Sequence, residues 1–507
     1  MSTEAGSPPA IDATATDLNL ADLVRAAADR GPQHPALIDL AGHELSWSEL
    51  DSAVTGYGWR LREAGVLPGD RVAFALPTGF EFCIALFAAF RLGAVAVPLP
   101  PSAPGPERRR VLADSGARLL VTAAGAEEVG EHLGVAELDP PTGRERSDHE
   151  LPRAPADLAV LCYTSGTSGP ARGAMLPHSA LLANVRQCGQ LRPMPVNAAD
   201  RVLLALPMYH AFGLGPGMLQ VAAVGATAVL LPRFDAEEAL AAVARHRVTC
   251  VVGVPPMYRA WLRLPPERLR EDMATVRLLT SGAAPLGADV ATSVRAATGL
   301  DVFEGYGLTE TGPVLTSTLA GGRAKPGSVG RALPGVRLRL VDSDGSPIDE
   351  GDTGRVSVRG PNLFRGYWPD GAHGPDEDGW FSTGDVGYFD EDGDLRLVDR
   401  ATDLIIVSGF NVYPREVEEV LAELPGVREA AAVGVPDEAR GEAIKAVLVA
   451  EPGAELTEDA VRAHCAARLA KFKVPREVEF AGELPHSPTG KIARRALRDP
   501  ASRISVS

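Results

Sequence analysis

Lysine is scarce in this sequence. Its 507 residues include five, at Lys325, Lys445, Lys471, Lys473 and Lys491, and arginine supplies nearly all other positive charge. The formal net charge of -16 argues against nucleic acid as a partner, so any polyanionic ligand has to be held by local cations. Cysteine is also rare: Cys83, Cys162, Cys188, Cys250 and Cys465 are odd in number and widely spaced. They provide neither a disulfide framework nor a metal set, and read as small core residues of a cytoplasmic protein in a reducing compartment. No uncharged apolar run approaches the roughly eighteen residues of a membrane span. Residues 1–17 lack the basic flank and apolar stretch of a signal peptide and are expected to be a disordered tail. What is present, 45% hydrophobic and 23% charged residues, suits a globular protein too long for one core.

Two grammars divide the chain. Up to about residue 330, short β-branched runs alternate with helical segments: a strand at Arg71–Leu76, a helix at Glu81–Leu92 and a strand at Ala94–Leu99. Further runs at Val248–Val254, Val276–Thr280 and Leu300–Phe303 imply parallel sheets covered by helices, with ligands at the strand ends. From Val336 the pattern alternates with period two, as in Val336–Val341, Arg355–Arg359 and Asp394–Val398, and predicts a small antiparallel, barrel-like subdomain over 336–399. Beyond it, helical periodicity at Pro414–Leu424 and Thr457–Leu469 accompanies strand-like runs at Glu429–Val435 and Ala443–Val449. The expected architecture is therefore α/β. A large N-terminal domain (18–399) carries parallel sheets, and a mobile α+β C-terminal domain (400–507) follows a hinge at about 400–402.

Residues 163–173 read Tyr-Thr-Ser-Gly-Thr-Ser-Gly-Pro-Ala-Arg-Gly, directly after the apolar run Leu158–Cys162. Thr164, Ser165, Gly166, Thr167 and Gly169 can turn hydroxyls and backbone N–H groups onto a phosphate chain. No Lys-Ser or Lys-Thr pair closes the loop, so it is not a Walker loop. It resembles the phosphate loop of the adenylate-forming superfamily of acyl-CoA synthetases, luciferases and peptide-synthetase adenylation domains. Further stretches resemble the same family in order along nearly the whole chain: Pro207–Gly213, Ser281–Leu286, Gly305–Glu310, Ser382–Asp385, Ser408–Glu418 and Pro485–Ile492.

The resemblance implies a role for each. His210 would border the carboxylate of the acid. Gly282, Ala283 and Ala284 would lie on adenine, with Tyr306 stacked against it and Gly307 beside it. Thr309 would contact the α-phosphate and Glu310 would hold Mg²⁺, for which a hard carboxylate oxygen is suited. Asp385 and Arg400 would bind the ribose. Gly409, followed by Phe410, would line the tunnel for the pantetheine arm, and Lys491 would be the catalytic lysine of adenylation. Arg440, Lys445, Lys471, Lys473 and Arg476 would offer a basic surface to the phosphates of coenzyme A. Taken singly these residues have plainer readings: His210 as a packed histidine, Asp385 as a turn residue, the lysines as solvated charge. Their order and company favour ligands.

The sequence departs from the family in places. The family usually has Pro-Lys where this chain has Ala171-Arg172, and the proline stands one place early, at Pro170. Arginine's planar fork differs from lysine's point charge, and moving proline moves a fixed φ and a missing N–H. A general preference for arginine accounts for Arg172 but not for Pro170. At the expected hinge, Asp399 and Thr402 replace the residues usual there. The resemblance thus implies an acyl-CoA ligase working through acyl-AMP from a small-molecule carboxylic acid, ATP and coenzyme A. Its thioester half matches the family pattern, whereas the departures fall on the ATP-dependent half and leave open whether that half is unimpaired, weakened or lost, a supplied acyl-AMP serving in the last case. The alternatives are an acyl-AMP ligase that loads a carrier protein's phosphopantetheine, and a non-catalytic acyl-nucleotide-binding protein. The acyl group and the oligomeric state are not readable.

Overall fold

The computed structural model of the chain describes residues 19–122, 136–139, 141–142, 158–164, 171–342, 344–348, 352–400, 403–407, 410–437, 441–486 and 492–498. The expected tail, residues 165–170 of the Ser/Gly-rich loop, Ala401 and Thr402, Gly409, Arg440 and Lys491 lie outside the described residues, as do the side chains of Arg400, Asn411 and Arg495.

Continuous apolar runs become parallel strands because they are covered on both faces. Every residue of Thr227–Leu230 and Cys250–Gly253 is buried. Both belong to a nine-stranded sheet. Its central order is Val302–Tyr306, Leu278–Ser281, Cys250–Gly253, Arg201–Leu204, Thr227–Leu230 and Pro35–Ile38, all paired in parallel. A six-stranded sheet runs through Leu119–Thr122, Arg71–Ala75, Val95–Pro98 and Leu158–Thr164, and its edge strand Arg172–Pro177 is antiparallel.

Helices pack between and over these sheets. Trp47–Glu63 begins at Ser46, whose hydroxyl accepts the Glu49 N–H while the Glu49 carboxylate accepts the Ser46 N–H, a reciprocal cap. In Phe80–Leu92 every residue from Phe82 to Leu92 is buried, as expected of a helix apolar all round. The side chains of these helices, of the nine-stranded sheet and of one face of the six-stranded sheet form one hydrophobic cluster, and the other face of the six-stranded sheet packs in a second with Val111 and Leu112.

One helix departs from α geometry. Gly213–Leu219, which carries Pro216, is a π-helix leading into the α-helix Gln220–Val224. Its glycines are dictated by contact. A β-carbon on Gly213 would lie 2.3 Å from the Pro207 carbonyl oxygen, and one on Gly215 2.6 Å from Pro313 Cδ. One on Gly217 would lie 3.1 Å from the Leu204 side chain. The helix therefore starts against the Pro207 backbone and continues past the Leu204 side chain.

The period-two segments form a four-stranded antiparallel sheet of Arg337–Val341, Gly354–Arg359, Phe381–Phe389 and Leu395–Arg400. Phe381–Phe389 escapes the sequence pattern because Gly384 sits at φ +77° and the register shifts between Val386 and Gly387. The smaller C-terminal domain is a five-stranded sheet including Val427–Asp437 and Gly441–Ala450. Its helices Pro414–Ala422 and Glu458–Ala466 bury Val417, Leu421, Val461 and Cys465 against Ile444, Ala446 and Leu448. All five cysteines are buried and free, and among the described residues no helix is long and apolar enough to cross a membrane.

Gly213→Ala is expected to lower stability by about 1–3 kcal/mol, because the new methyl group meets a carbonyl that has no room to withdraw. Gly482→Ala, whose β-carbon meets nothing within 4 Å, is the control in the same thermal-unfolding experiment.

Candidate active site

The C-terminal ends of the parallel strands and the edge of the antiparallel sheet open onto one cleft of about 2350 Å³. Thr164, Arg172, His210, Ala283 and Ala284 line it, and so do Tyr306, Gly307, Thr309, Glu310 and Asp385. Residues expected from separate stretches are thus brought to a common wall. Phe410 and Lys471 are not on it. Phe410 is exposed and stacks on Phe472 at 4.5 Å and 19°, beside the exposed Lys471.

Backbone contact explains the small residues. A β-carbon on Gly282 would lie 2.7 Å from the Phe212 ring, and one on Gly307 would lie 1.8 Å from the Pro313 carbonyl oxygen. Ala283 adopts φ +64°, a left-handed conformation that disfavours a residue with a β-carbon and that clusters at functional sites. The Nδ1 atom of His210 accepts the Phe212 N–H at 3.2 Å, which assigns the ring proton of the neutral imidazole to Nε2.

Two buried carboxylates are held by tyrosines. The Tyr306 hydroxyl donates to Asp385 Oδ2 at 2.6 Å, and the Tyr367 hydroxyl donates to Glu310 Oε1 at 2.5 Å. The Arg172 guanidinium lies over the Tyr367 ring, 4.1 Å from its centroid, in cation–π geometry. Arg172, Tyr367 and Glu310 therefore form a continuous chain of contacts. A hard cation fits here, because Glu310 keeps Oε2 as a ligand oxygen after Oε1 accepts its hydrogen bond.

A third carboxylate lines the cleft at Glu304, which is 6% exposed. Burial pushes it up to about 7, against the pull of hydrogen bonds from the Leu286 and Gly327 N–H groups and of Arg415 and Arg396. Sequence reasoning missed both Glu304 and Tyr367. Glu304 is signalled only by a carboxylate inside a buried strand, and nothing near Tyr367 in sequence points to Glu310.

The expected basic surface is largely neutralised. Lys445 pairs with Glu479 at 2.6 Å, Lys473 pairs with Glu416 at 2.6 Å, and Arg476 pairs with Asp437. Beside the cleft, the unusual Asp399 accepts the Arg415 N–H at 2.8 Å and lies 3.5 Å from the Arg494 guanidinium. Arg494 also reaches Asp403 at 3.1 Å and Glu418 at 2.7 Å, so Asp399 ties the antiparallel sheet to the C-terminal domain.

The AMP-binding enzyme family matches residues 24–368, and the AMP-binding enzyme C-terminal domain matches residues 416–491. The chain belongs to this adenylate-forming family. It is 39% identical over 473 residues to a feruloyl-CoA synthase from an Amycolatopsis species, covering 92% of this chain and 96% of that protein. It is 34% identical over 539 residues to a long-chain-fatty-acid–CoA ligase from Yersinia pestis, with 96% and 95% covered. Among solved structures it superposes on ATP-bound MatB from Rhodopseudomonas palustris with a TM-score of 0.89, at 34% identity, covering 96% of this chain and all of that one. The chain is an AMP-forming acyl-CoA synthetase of that superfamily, and the large α/β domain followed by a smaller C-terminal domain is the architecture expected of it.

Two outcomes follow for the cleft. The Glu304 carboxyl lies above its ordinary value of 4.5, so its contribution to stability is complete below that pH and is lost as pH rises towards about 7. Glu304→Gln should match the parent below about pH 4.5 and exceed it by up to about 3 kcal/mol above about pH 7, as read by urea unfolding across that range. Tyr367→Phe keeps the ring under Arg172 but removes the donor to Glu310. ATP-dependent pyrophosphate release should fall roughly tenfold.

Proposed function

We propose that this synthetase joins a small-molecule carboxylic acid to coenzyme A by two half-reactions around one bound acyl-AMP. In the first, a carboxylate oxygen attacks the α-phosphorus of ATP, and the bond from that phosphorus to the bridging oxygen breaks to release pyrophosphate. No proton has to be removed, so the step needs positioned cations and donors rather than a base. In the second, the sulfur of coenzyme A attacks the acyl carbonyl, AMP leaves with the electron pair of the broken C–O bond, and the thiol proton passes to solvent.

The observation that carries this reading is the convergence of residues from three sheets on one cleft. Ala283 and Ala284, next to Gly282, with Tyr306 and Gly307, form the proposed adenine subsite, while Asp385 and Arg400 serve the ribose. Thr309 faces the α-phosphate and His210 the acid. Mg²⁺, when held by Glu310, would spread the charge of the departing pyrophosphate. Lys491 supplies the cation for adenylation. In the thioester step the segment at Gly409 replaces it as the C-terminal domain turns about residues 400–402. Among the cations expected for the nucleotide end of coenzyme A, Lys471 is the one described with no carboxylate partner, and it stands beside the stacked Phe410 and Phe472.

The finer part of the proposal concerns the altered loop. Stacked on Tyr367, Arg172 is a planar cation on a ring rather than a mobile ammonium. We assign adenylation as the weaker half on this basis. Turnover from free acid and ATP should be slower than turnover from the synthetic acyl-adenylate and coenzyme A. Ala171→Pro combined with Arg172→Lys should raise pyrophosphate release. Equal rates by the two routes would remove this assignment, and a preference for carrier-protein phosphopantetheine over coenzyme A would replace the thiol acceptor.

A further inference from the structure

One carboxylate at the end of the antiparallel sheet holds two separate parts of the C-terminal domain. Asp399 lies in the strand Leu395–Arg400, and its side chain is only 4% exposed. Its Oδ2 accepts the Arg415 N–H at 2.8 Å, and its Oδ1 lies 3.5 Å from Nη1 of Arg494. Arg415 is the second residue of the helix Pro414–Ala422, where an N–H has no acceptor within the helix. Asp399 therefore caps a helix of the C-terminal domain from outside that domain, and its charge suits the positive end of the helix. The Arg415 guanidinium adds a bond to the Leu397 carbonyl at 3.1 Å.

Arg494 divides its contacts between the two sides of the expected hinge. Its Nε and Nη2 hold the two oxygens of Glu418 at 3.1 and 2.7 Å, and its Nη1 reaches Asp403 at 3.1 Å. Glu418 and Asp403 follow residues 400–402 and would travel with Arg494, whereas Asp399 precedes them and would stay behind. The contact with Asp399 is the longest of the set. A guanidinium that keeps a bidentate carboxylate can give up such a contact without being left as an unpaired buried charge. The link is thus built to be broken.

This link also sits next to the loop of the catalytic lysine. Arg494 comes three residues after Lys491. His486 and Ile492, on either side of that lysine, form a backbone bridge, and the Ala493 N–H donates to the Pro485 carbonyl at 2.8 Å. His486, Ile492, Ala493 and Arg494 line the cleft, and Phe410 does not. The orientation in which Asp399 meets Arg494 is therefore the one that brings the flanks of Lys491 to the cleft.

We propose that Asp399 is a positioning residue for adenylation. Through Arg494 and the helix at Pro414 it holds the C-terminal domain in the orientation that presents the Lys491 segment, and it releases both when the domain turns for thioester formation. A contact made in only one of two orientations shifts the balance between them by its own free energy. This role rests on the two half-reactions proposed above and assigns a residue that biases the choice between them.

Asp399→Asn keeps an acceptor for the Arg415 N–H and removes the charge facing Arg494, while Asp399→Ala removes both. The full-length protein is given ATP and whichever of octanoate and cinnamate the parent turns over faster. Pyrophosphate release should fall about threefold in Asp399→Asn and about tenfold in Asp399→Ala, in kcat rather than in the KM for ATP. Thioester formation from the synthetic adenylate and coenzyme A should hold or rise in both variants, whose unshifted thermal melts show that they are folded. Hydrogen exchange read by mass spectrometry is independent of turnover. The Arg415 amide should exchange about tenfold faster in Asp399→Ala, and faster in the parent too once the synthetic adenylate and coenzyme A lacking its sulfur are added. Equal losses in the two half-reactions, or no loss in either, overturn the role. So does an Arg415 amide whose exchange is unchanged in Asp399→Ala, or a parent that makes thioester from the adenylate but releases no pyrophosphate. Failure of the ligase reading is distinct: no coenzyme A thioester forms by either route, while the exchange of Arg415 still reports on Asp399.

Discussion

The cleft depends on two hydrogen bonds from neutral phenols to buried carboxylates. Tyr306 ends a strand of the nine-stranded sheet and Asp385 belongs to the antiparallel sheet, so their 2.6 Å contact joins the two at the cleft wall. Tyr367 forms a backbone bridge to Ala174 on the edge of the six-stranded sheet, and its hydroxyl reaches Glu310 in the turn after Val302–Tyr306. Three sheets are thereby tied together at the groups assigned to the nucleotide. The choice of donor matters. A buried carboxylate needs a partner, and a phenol supplies one without cancelling the negative charge. This suits the roles proposed for Asp385 at the ribose hydroxyls and for Glu310 at a divalent cation.

Close backbone packing is the companion constraint. Gly307 against Pro313, Gly215 against Pro313, and Gly213 against Pro207 leave no space for β-carbons. These contacts press the segment carrying Thr309 and Glu310 against the π-helix that follows His210. One set of glycines thus holds the segment after Tyr306 and the helix after His210 against each other.

Much of this was legible in order along the chain. The β-branched runs ending in Gly or Pro became parallel strands, and the period-two segments became the antiparallel sheet. Among the described motif residues, Thr164, Arg172, His210, Ala283, Ala284, Tyr306, Gly307, Thr309, Glu310 and Asp385 line one cleft. Other features had no local signal. The tie between Tyr367 and Glu310 joins positions 57 apart. The pairing of Lys445, Lys473 and Arg476 with carboxylates is decided by strand and helix neighbours, so a count of basic residues overstated the free positive charge. Phe381–Phe389 was hidden by a positive-φ glycine and a bulge that break the period of two.

The amino-acid sequence by itself determined the fold class and the family, because these follow from short-range periodicity and from contiguous motifs. Tertiary structure alone decided how the residues of the cleft are held. Whether Arg172 meets solvent or the Tyr367 ring, and whether Asp399 is an isolated charge or part of the Arg494 network, depend on groups distant in sequence. Burial and the partners it provides set the energy of a polar group, and both are created only when the sheets come together.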